Sequence, residues 1–524
     1  MKKILLVAIS GSCLLLGALS SVIYEKSPPP VFANAPIQTA DTGSLNHPLT
    51  PEKIAWNIDR IPQRILHYAP VGAISLYGNM TQPTSVSLFI SGDGGWNEGV
   101  VEMAKTLAQD GQTLVAGIDI VEYYKKLHSS GAACLYPAGD MENLAEFIQK
   151  ELRLPEYHKP VLVGYSSGAT LVYALLCQAP AGTFRGGIAL GFCPEMEVDK
   201  PLCEGSGTLK MKRRSAGRGF DFVDQPAPSA PLEVLQGERD EVCDCTNACN
   251  FFDRVAQVRL TRLPSAGHGF SVRESWLPQF RVAYNRILSE TTHSTGMAPP
   301  AQGNSRVPVA MASAHGSTDE GEVLPLNITS AAADSKRPLV VFLSGDGGWT
   351  GFDQQICDEL AARHLPSLGL NSQSYFWKKK TPEQTTNDLA PVIRQYLQNW
   401  GKTELILVGY SFGANVAPFV ENRLPDDLRG KVKGMVLLSP DTKGDFEIHV
   451  AGMLGKSGGP YDVIAEIRSV QNASVLCVRG DQENASVQTA LQGAAHVQFM
   501  QLPGSHHYDN NATKVATAIE SAVR

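Results

Sequence analysis

The strongest constraint on this chain is a short stretch typical of a buried strand, a tight turn and a helix. It begins at Leu405 and reads L-I-L-V-G-Y-S-F-G-A-N-V-A. Its apolar start is typical of a parallel strand buried on both faces. The G-x-S-x-G turn holds Ser411 on a sharp bend, where glycines leave room around it. The pattern predicts a nucleophile at the end of a central strand, and the alternative is a structural serine in a strand–turn–helix joint.

The same pattern occurs earlier in the chain, where V-L-V-G-Y-S-S-G-A places Ser166 on an equivalent turn. Upstream of each turn, an apolar strand runs into the string S-G-D-G-G-W, which starts at Ser91 and again at Ser344. Buried strands alternate with helical segments in both copies. The sequence therefore predicts an α/β fold with two tandem α/β-hydrolase-like domains, each a doubly wound, mostly parallel sheet.

The chain has 524 residues, which is too long for one ordinary domain. Lys2 and Lys3 precede an apolar run, as in a secretory signal. The predicted segments are a signal peptide or N-terminal anchor at 1–35, a first domain at 50–290, a linker at 291–321 rich in Pro, Ala, Gly, Ser and Thr, and a second, main catalytic domain at 322–524. We therefore expect an exported, periplasmic protein, with anchoring in the inner membrane as the alternative.

Charge and motifs limit the classes of ligand. The net charge of −7 gives no basic footprint for nucleic acid. Phosphate-binding loops, dinucleotide fingerprints and zinc-protease motifs are absent from the sequence, so no cofactor and no metal are predicted.

Seven of the ten cysteines lie between Cys134 and Cys249. In an exported protein this clustering predicts disulfides in the first half. Cys193 and Cys203 flank a short loop and are the favoured pair. Further partners are available at Cys243, Cys245 and Cys249.

A serine nucleophile needs a histidine base and an acid that orients the histidine, and in this fold they follow the serine in the order acid, histidine. In the first copy, Asp240 follows a predicted strand at 232–235, and His268 lies on a later loop between glycines. We predict a triad of Ser166, Asp240 and His268.

The second copy repeats this order after Ser411. Aligning the two copies places Glu483 opposite Asp240, with Asp481 as the alternative acid. It places His506 opposite the histidine of the first copy, with His507 as the alternative.

An oxyanion requires backbone N–H donors near each serine. One donor follows the serine, and the other comes from the glycine-rich string. The predicted donors are Phe412 with Asp346 or Gly347 in the second copy, and Ser167 with Asp93 or Gly94 in the first.

The chain resembles the VirJ/AcvB family of bacterial virulence proteins over nearly everything after the leader. The resemblance rests on several motifs: the doubled S-G-D-G-G-W, the two turns G-Y-S-S-G-A and G-Y-S-F-G-A, G-F-C-P from Gly191, G-H-G-F from Gly267, Y-F-W from Tyr375 before T-P-E from Thr381, and D-F-E from Asp445.

The resemblance implies a periplasmic α/β-hydrolase similar to a lysyl-phosphatidylglycerol hydrolase, which removes the aminoacyl group from a modified membrane phospholipid. It implies that Ser411 carries the main activity, and that the partners are this lipid, the membrane surface and secretion-system proteins. The alternative from another class is a non-catalytic periplasmic binding or chaperone factor that uses the hydrolase fold as a scaffold.

A lysyl ester carries ammonium groups, which carboxylates near the acyl pocket would bind. Asp445 and Glu447 follow a strand end and are the candidates, while Trp377 is expected to add a cation–π contact. The alternative is that both carboxylates cap a helix or face solvent. A basic insertion at 203–231 is either a solvated loop or a contact with an anionic membrane.

Overall fold

The structure is a computed structural model that describes residues 62–522, apart from 130, 206–208, 216, 254, 291–323, 333–335 and 450–458. The predicted signal segment 1–35 and linker 291–321 lie outside the described residues. Within the described ranges, no helix is long and apolar enough to cross a membrane.

The first domain is built on an eight-stranded sheet with the order β1-β2-β4-β3-β5-β6-β10-β11. All pairs from β4 to β11 are parallel, and β1-β2 and β2-β4 are antiparallel. The strands are β1 (Arg64–Tyr68), β2 (Gly72–Gly78), β3 (Ser85–Ile90), β4 (Thr113–Ile118), β5 (Val161–Tyr165), β6 (Gly186–Leu190), β7 (Glu195–Met196), β8 (Lys210–Arg213), β9 (Phe220–Val223), β10 (Leu232–Gly237) and β11 (Val258–Leu263). The helices are α1 (Glu98–Ala108), α2 (Ile120–His128), α3 (Pro137–Glu151), α4 (Ser167–Gln178), α5 (Cys245–Phe252) and α6 (Leu277–Glu290), with a 3₁₀ turn at Arg273–Ser275.

The second domain is built on a seven-stranded sheet with the order β12-β14-β13-β15-β16-β19-β20. Its strands are β12 (Leu326–Thr329), β13 (Leu339–Leu343), β14 (Ser367–Leu370), β15 (Leu405–Tyr410), β16 (Val432–Leu438), β17 (Lys443–Gly444), β18 (Tyr461–Asp462), β19 (Ser474–Gly480) and β20 (Val497–Leu502). Its helices are α7 (Gly351–Ala362), α8 (Ser372–Tyr375), α9 (Pro382–Asn399), α10 (Phe412–Arg423), α11 (Asp426–Arg429), α12 (Val463–Arg468), α13 (Ser486–Ala490) and α14 (Ala512–Ser521), with a 3₁₀ turn at Tyr508–Asn510.

The two sheets have one topology. Removing β1 from the first sheet leaves the strand order of the second, with one antiparallel edge strand and parallel strands elsewhere. The predicted α/β fold with tandem hydrolase-like domains is therefore confirmed. Both sheets belong to one compact unit, in which the two domains contact each other.

Burial on both faces explains why the central strands read as continuous apolar runs. In β13, Leu339 and Val341 face one hydrophobic cluster, whereas Val340 and Phe342 face the other. Successive side chains of a strand point to opposite faces, so a strand between two helical layers needs apolar residues at every position.

Two disulfides, Cys134–Cys203 and Cys193–Cys243, lie in the first domain. The prediction of disulfides there is confirmed, and the favoured pairing of Cys193 with Cys203 is wrong. Cys193 follows β6 and Cys243 follows the neighbouring strand β10, so adjacent strand ends bring them together. Cys203 instead lies beside Cys134, because its N–H donates to the Leu135 carbonyl at 2.8 Å.

The basic insertion contributes β8 and β9 to a small sheet with the order β7-β9-β8. On β8, the side chains of Lys210, Lys212 and Arg213 are exposed. The Arg213 guanidinium lies 4.6 Å from the centre of the Phe220 ring on β9. A contact with a membrane surface stays a prediction.

Two candidate active sites

Both predicted nucleophiles lie on strained turns between a central strand and a helix. Ser166 follows β5 with φ 56° and ψ −121°, and Ser411 follows β15 with φ 52° and ψ −113°. Positive φ is unfavourable for a residue with a side chain and occurs where surrounding contacts impose it. Helices α4 and α10 start at the next residue. The predicted strand–turn–helix geometry is present at both positions.

The glycines of the second turn allow α10 to pack directly on the sheet. A Cβ added to Gly409 would lie 2.3 Å from the Gly413 carbonyl oxygen. A Cβ added to Gly413 would lie 2.2 Å from the Leu343 carbonyl oxygen on β13. Any larger residue would push helix and strand apart, and the serine would leave its position above the sheet edge.

In the first domain, the three predicted residues form a continuous hydrogen-bonded chain. His268 Nε2 lies 2.9 Å from Ser166 Oγ, and His268 Nδ1 lies 2.8 Å from Asp240 Oδ2. Asp240 is buried, and its Oδ1 accepts hydrogen bonds from the N–H groups of Val242 at 2.9 Å and Cys243 at 2.7 Å. This arrangement lets the histidine take the serine proton while the carboxylate orients the ring.

In the second domain, Glu483 and His506 form the corresponding pair, with His506 Nδ1 2.8 Å from Glu483 Oε1. The other carboxylate oxygen accepts hydrogen bonds from the Gly480 N–H and the Ser439 hydroxyl, both at 2.7 Å. Burial raises the pKa of Glu483, but its hydrogen bonds with His506, Gly480 and Ser439 outweigh burial and hold this pKa below its ordinary value. The carboxylate is therefore ionised and positioned to orient the histidine.

The alternative residues have other partners. Asp481 Oδ1 accepts a hydrogen bond from the Gly504 N–H at 3.0 Å and so braces the histidine loop. His507 Nδ1 and the Tyr410 hydroxyl share a hydrogen bond of 2.7 Å. Burial, with the nearby His506 charge, lowers the pKa of His507 to about 4. The structure thus brings Glu483 and His506, rather than Asp481 and His507, together as an acid–histidine pair.

Ser411 and His506 line one cavity, but no hydrogen bond joins them among the described contacts. The His506 side chain is 40% exposed, whereas that of His268 is 18% exposed. Hydrogen bonds of catalytic groups are often long without substrate and shorten when it binds.

The glycine-rich strings pass directly over the serines. A Cβ on Gly92 would lie 3.0 Å from Ser166 Cβ, and one on Gly345 would lie 3.5 Å from Ser411 Cβ. The predicted donors Phe412 and Ser167 are the first residues of their helices, where N–H groups have no acceptor within the helix. These N–H groups are available to an oxyanion.

The remaining predicted donors lie on the same strings. The Gly347 N–H donates to Asp346 Oδ1 at 3.2 Å, so a substrate oxygen would have to compete with this carboxylate for the N–H group. Asp93 and Gly94 are exposed and line the cavity at Ser166.

The cavities at the two serines differ in size and in walls. The one at Ser166 has a volume of about 250 Å³. The one at Ser411 has a volume of about 900 Å³. The first domain contributes part of the wall of the larger cavity, through Tyr136, Glu142, Asn143, Pro180 and Thr183. The sequence did not predict these residues, because no motif around them indicates a role in the other domain.

Of the three predicted substrate contacts, Asp445 and Glu447 line the larger cavity. Asp445 Oδ2 lies 3.1 Å from His449 Nε2, and Glu447 Oε1 lies 3.4 Å from Lys150 Nζ of the first domain. Each carboxylate therefore already has a basic neighbour.

Trp377 lies elsewhere, outside the cavity wall and buried between the domains. Its Nε1–H donates to the Leu154 carbonyl at 2.9 Å, and Lys150 Nζ lies 4.5 Å from the ring centre. The structure thus differs from the predicted substrate contact, because a lysine of the chain itself occupies the ring face.

Strand order and the serine turns define the class: a protein with two tandem α/β-hydrolase domains. The family model described as "Bacterial virulence protein (VirJ)" matches residues 84–184 and 337–524, which together are more than half of the chain. The protein belongs to this family. A search of curated proteins finds no match.

Solved structures with a related fold include Est1E from Butyrivibrio proteoclasticus, at 15% identity over 37% of this chain and 90% of that one, with a TM-score of 0.29. MenH from S. aureus is 8% identical over 38% of this chain and 97% of that one, with a TM-score of 0.31. XC6422 from Xanthomonas campestris, a serine hydrolase without a lid, is 21% identical over 44% of this chain and 96% of that one, with a TM-score of 0.27. The strand order of the two sheets, rather than these similarities, defines the fold.

Proposed function

We propose that the protein is a periplasmic serine hydrolase that cleaves the aminoacyl ester of an aminoacylated phospholipid such as lysyl-phosphatidylglycerol, with Ser411 as its main nucleophile. The observation that carries this proposal is that His506, which is bonded to Glu483, lines the same large, carboxylate-rich cavity as Ser411. The family membership agrees with it.

In the proposed reaction, His506 takes the proton of the Ser411 hydroxyl while the serine oxygen attacks the ester carbonyl carbon. The Phe412 N–H and the string above the serine receive the negative charge on the carbonyl oxygen. The bond to the lipid hydroxyl then breaks, His506 gives its proton to that oxygen, and an aminoacyl-serine remains. Water, deprotonated by His506, attacks the carbonyl carbon of this ester. The bond to the serine oxygen then breaks, and His506 returns the proton to that oxygen, which releases the amino acid and regenerates Ser411.

The cavity at Ser411 suits such a substrate in size and charge. A volume of about 900 Å³ lies within the range of sites for small organic ligands. Asp445 and Glu447 lie in the wall and would attract the side-chain ammonium of a lysyl group. His449 and Lys150 partly compensate the two carboxylates. Asp445 and Glu447 would therefore raise the affinity for a lysyl ester without being required for its hydrolysis.

The decisive experiment combines labelling with lipid hydrolysis. A fluorophosphonate probe should label the wild-type protein at Ser411, and purified protein should release lysine from lysyl-phosphatidylglycerol vesicles. Asp445→Asn and Glu447→Gln should weaken lipid hydrolysis more than hydrolysis of nitrophenyl acetate, which needs the nucleophile but not the ammonium site. Equal losses on both substrates would give the two carboxylates a structural role.

The second candidate is a non-catalytic binding or chaperone factor. The missing hydrogen bond between Ser411 and His506 favours it, since a scaffold has no need of an aligned pair. Absence of probe labelling at both serines, together with intact lipid after long incubation, would establish this alternative against the hydrolase.

A further inference from the structure

Part of the wall around Ser411 is contributed by α3 of the first domain, which supplies Glu142 and Asn143. The domains are in direct contact beside it. The Gly351 N–H donates to the Ala181 carbonyl at 2.5 Å, and Gln373 Nε2 donates to Glu146 Oε1. The first domain is therefore held against the mouth of the second domain's site.

Glu142 reaches the glycine-rich string over Ser411. A Cβ added to Gly347 would lie 3.2 Å from Glu142 Oε1, which is within contact distance. Among the described residues, Glu142 makes no hydrogen bond and no ion pair. Burial and the neighbouring Asp346 charge raise the pKa of Glu142 to about 7, against a smaller effect of Lys159. A carboxylate is thus held in the cavity wall with the Lys159 charge acting on it but with no direct ion pair.

A second carboxylate in the same wall has an unused oxygen. Asp353 is fully buried and lines the cavity. Its Oδ2 accepts hydrogen bonds from the Thr350 N–H at 2.8 Å and the Thr350 hydroxyl at 2.6 Å, whereas its Oδ1 has no partner within the described structure. An unsatisfied buried carboxylate oxygen is costly, and a positively charged ligand would satisfy it.

The position of these groups selects one kind of cation. In an aminoacyl ester, the α-ammonium group is separated from the carbonyl carbon by a single carbon, so its binding site must lie beside the oxyanion donors. Glu142 Oε1 lies beside the string that is expected to supply one of these donors. Asp445 and Glu447 each lie in direct contact with a basic side chain and suit the more distant side-chain ammonium. Lys159 acts on Glu142 and Asp353 without an ion pair.

We propose that Glu142 of the first domain, with Asp346 and Asp353 of the second, binds the α-ammonium group of an aminoacyl ester held at Ser411. This inference rests on the proposed hydrolase function and specifies its substrate class as esters of α-amino acids. The first domain then completes the substrate site of the second, which gives the tandem arrangement a direct role in specificity.

The test uses the full chain and two esters that differ only in the ammonium group, alanine ethyl ester and propionic acid ethyl ester. Glu142→Gln should lower kcat/KM for the alanine ester by about tenfold or more, the factor expected for one lost ionic contact. Its effect on the propionate ester, which carries no ammonium group, should be much smaller. Glu151→Gln is the matched control, since Glu151 is exposed on the same helix and lies outside the cavity wall.

Hydrolysis of the propionate ester reports folding of each variant. Equal rates of Glu142→Gln and wild type on the alanine ester would overturn the inference. Equal losses on both esters, repeated in Glu142→Asp, would also overturn it, because they would assign Glu142 a structural role. Failure of the wild type on both esters, with Ser411 unlabelled by fluorophosphonate, would instead remove the proposed hydrolase function itself.

Discussion

The two sites share a backbone frame and differ in how the acid is held. Asp240 and Glu483 each close a turn onto a glycine three residues earlier, with N–H to carbonyl distances of 3.3 Å and 3.2 Å. The short Asp240 side chain is held by backbone N–H groups of its own loop. The longer Glu483 reaches the Ser439 hydroxyl, which in turn bonds to the Tyr508 hydroxyl at 2.6 Å. The longer acid thus gains a hydroxyl partner on the neighbouring strand end in addition to the Gly480 N–H.

The surroundings of the two serines differ more between the domains than the two acids do. In the first domain, the histidine is already bonded to its serine, and the cavity of about 250 Å³ is lined by residues of that domain. In the second, the histidine is more exposed, and the cavity of about 900 Å³ includes residues of both domains. The two domains therefore share the strand ends that position the chemistry, while their pocket walls differ.

The largest expected effect separates the two serines. Ser411→Ala should lower hydrolysis of an aminoacylated lipid by about a thousandfold or more, as for other triad nucleophiles. Ser166→Ala should leave it within about twofold, because distant sites act independently. Lysine release from lipid vesicles measures both variants, and circular dichroism checks their folding. The reverse order of effects would assign the lipid activity to the first domain.

The next effect separates the two candidate acids of the second domain. Glu483→Gln should reduce turnover at Ser411 by about a hundredfold or more, because the histidine loses the carboxylate that orients it. Asp481→Asn is the matched control, since Asp481 bonds to the Gly504 N–H instead. Steady-state kinetics with a nitrophenyl ester measure both. A larger loss in Asp481→Asn would contradict the assignment.

The Cys193–Cys243 disulfide gives a test specific to the first domain. Cys243 donates its N–H to Asp240, so replacing both cysteines by serine should loosen the acid and slow fluorophosphonate labelling of Ser166. We expect about a tenfold decrease, which corresponds to about 1.4 kcal/mol and is smaller than the roughly 2–4 kcal/mol that a disulfide typically contributes to stability. Labelling at Ser411 should not change. A uniform decrease at both serines would indicate general destabilisation.

The smallest effect concerns pH and has opposite signs at two carboxylates. The pKa of Glu142 is raised to about 7 in the folded protein, so binding of a proton by Glu142 favours the folded state. This contribution to the free energy of unfolding is fully present below about pH 4.5 and is lost as pH rises through 7. Glu142→Gln should therefore increase stability at pH 8 by about 1–3 kcal/mol and change nothing near pH 4.

The depressed pKa of Glu483 predicts the reverse, with stability present above its ordinary pKa and lost as pH falls through the lowered one. Glu483→Gln should accordingly destabilise the protein at pH 8. Thermal melts at pH 8 and pH 4 measure both variants. A lower melting temperature of Glu142→Gln at pH 8 would contradict the unpaired state of that carboxylate.

The sequence by itself determined the features that depend on local pattern. Fully apolar strands, glycine-bounded serine turns and the order of serine, acid and histidine are short-range properties, and they predicted the tandem α/β fold and the residues that meet at Ser166. The alignment of the two copies also placed Glu483 and His506 first among the alternatives, because a turn of fixed length follows β10 and β19 in both domains.

Only the tertiary structure decided the contacts between distant segments. Adjacent strand ends paired Cys193 with Cys243 across 50 residues, and the domain interface covered Trp377 with Lys150. The same interface brought Glu142 to the string above Ser411. Such contacts depend on how whole sheets and helices pack, and no local periodicity or spacing encodes which surface of one domain will close the site of the other.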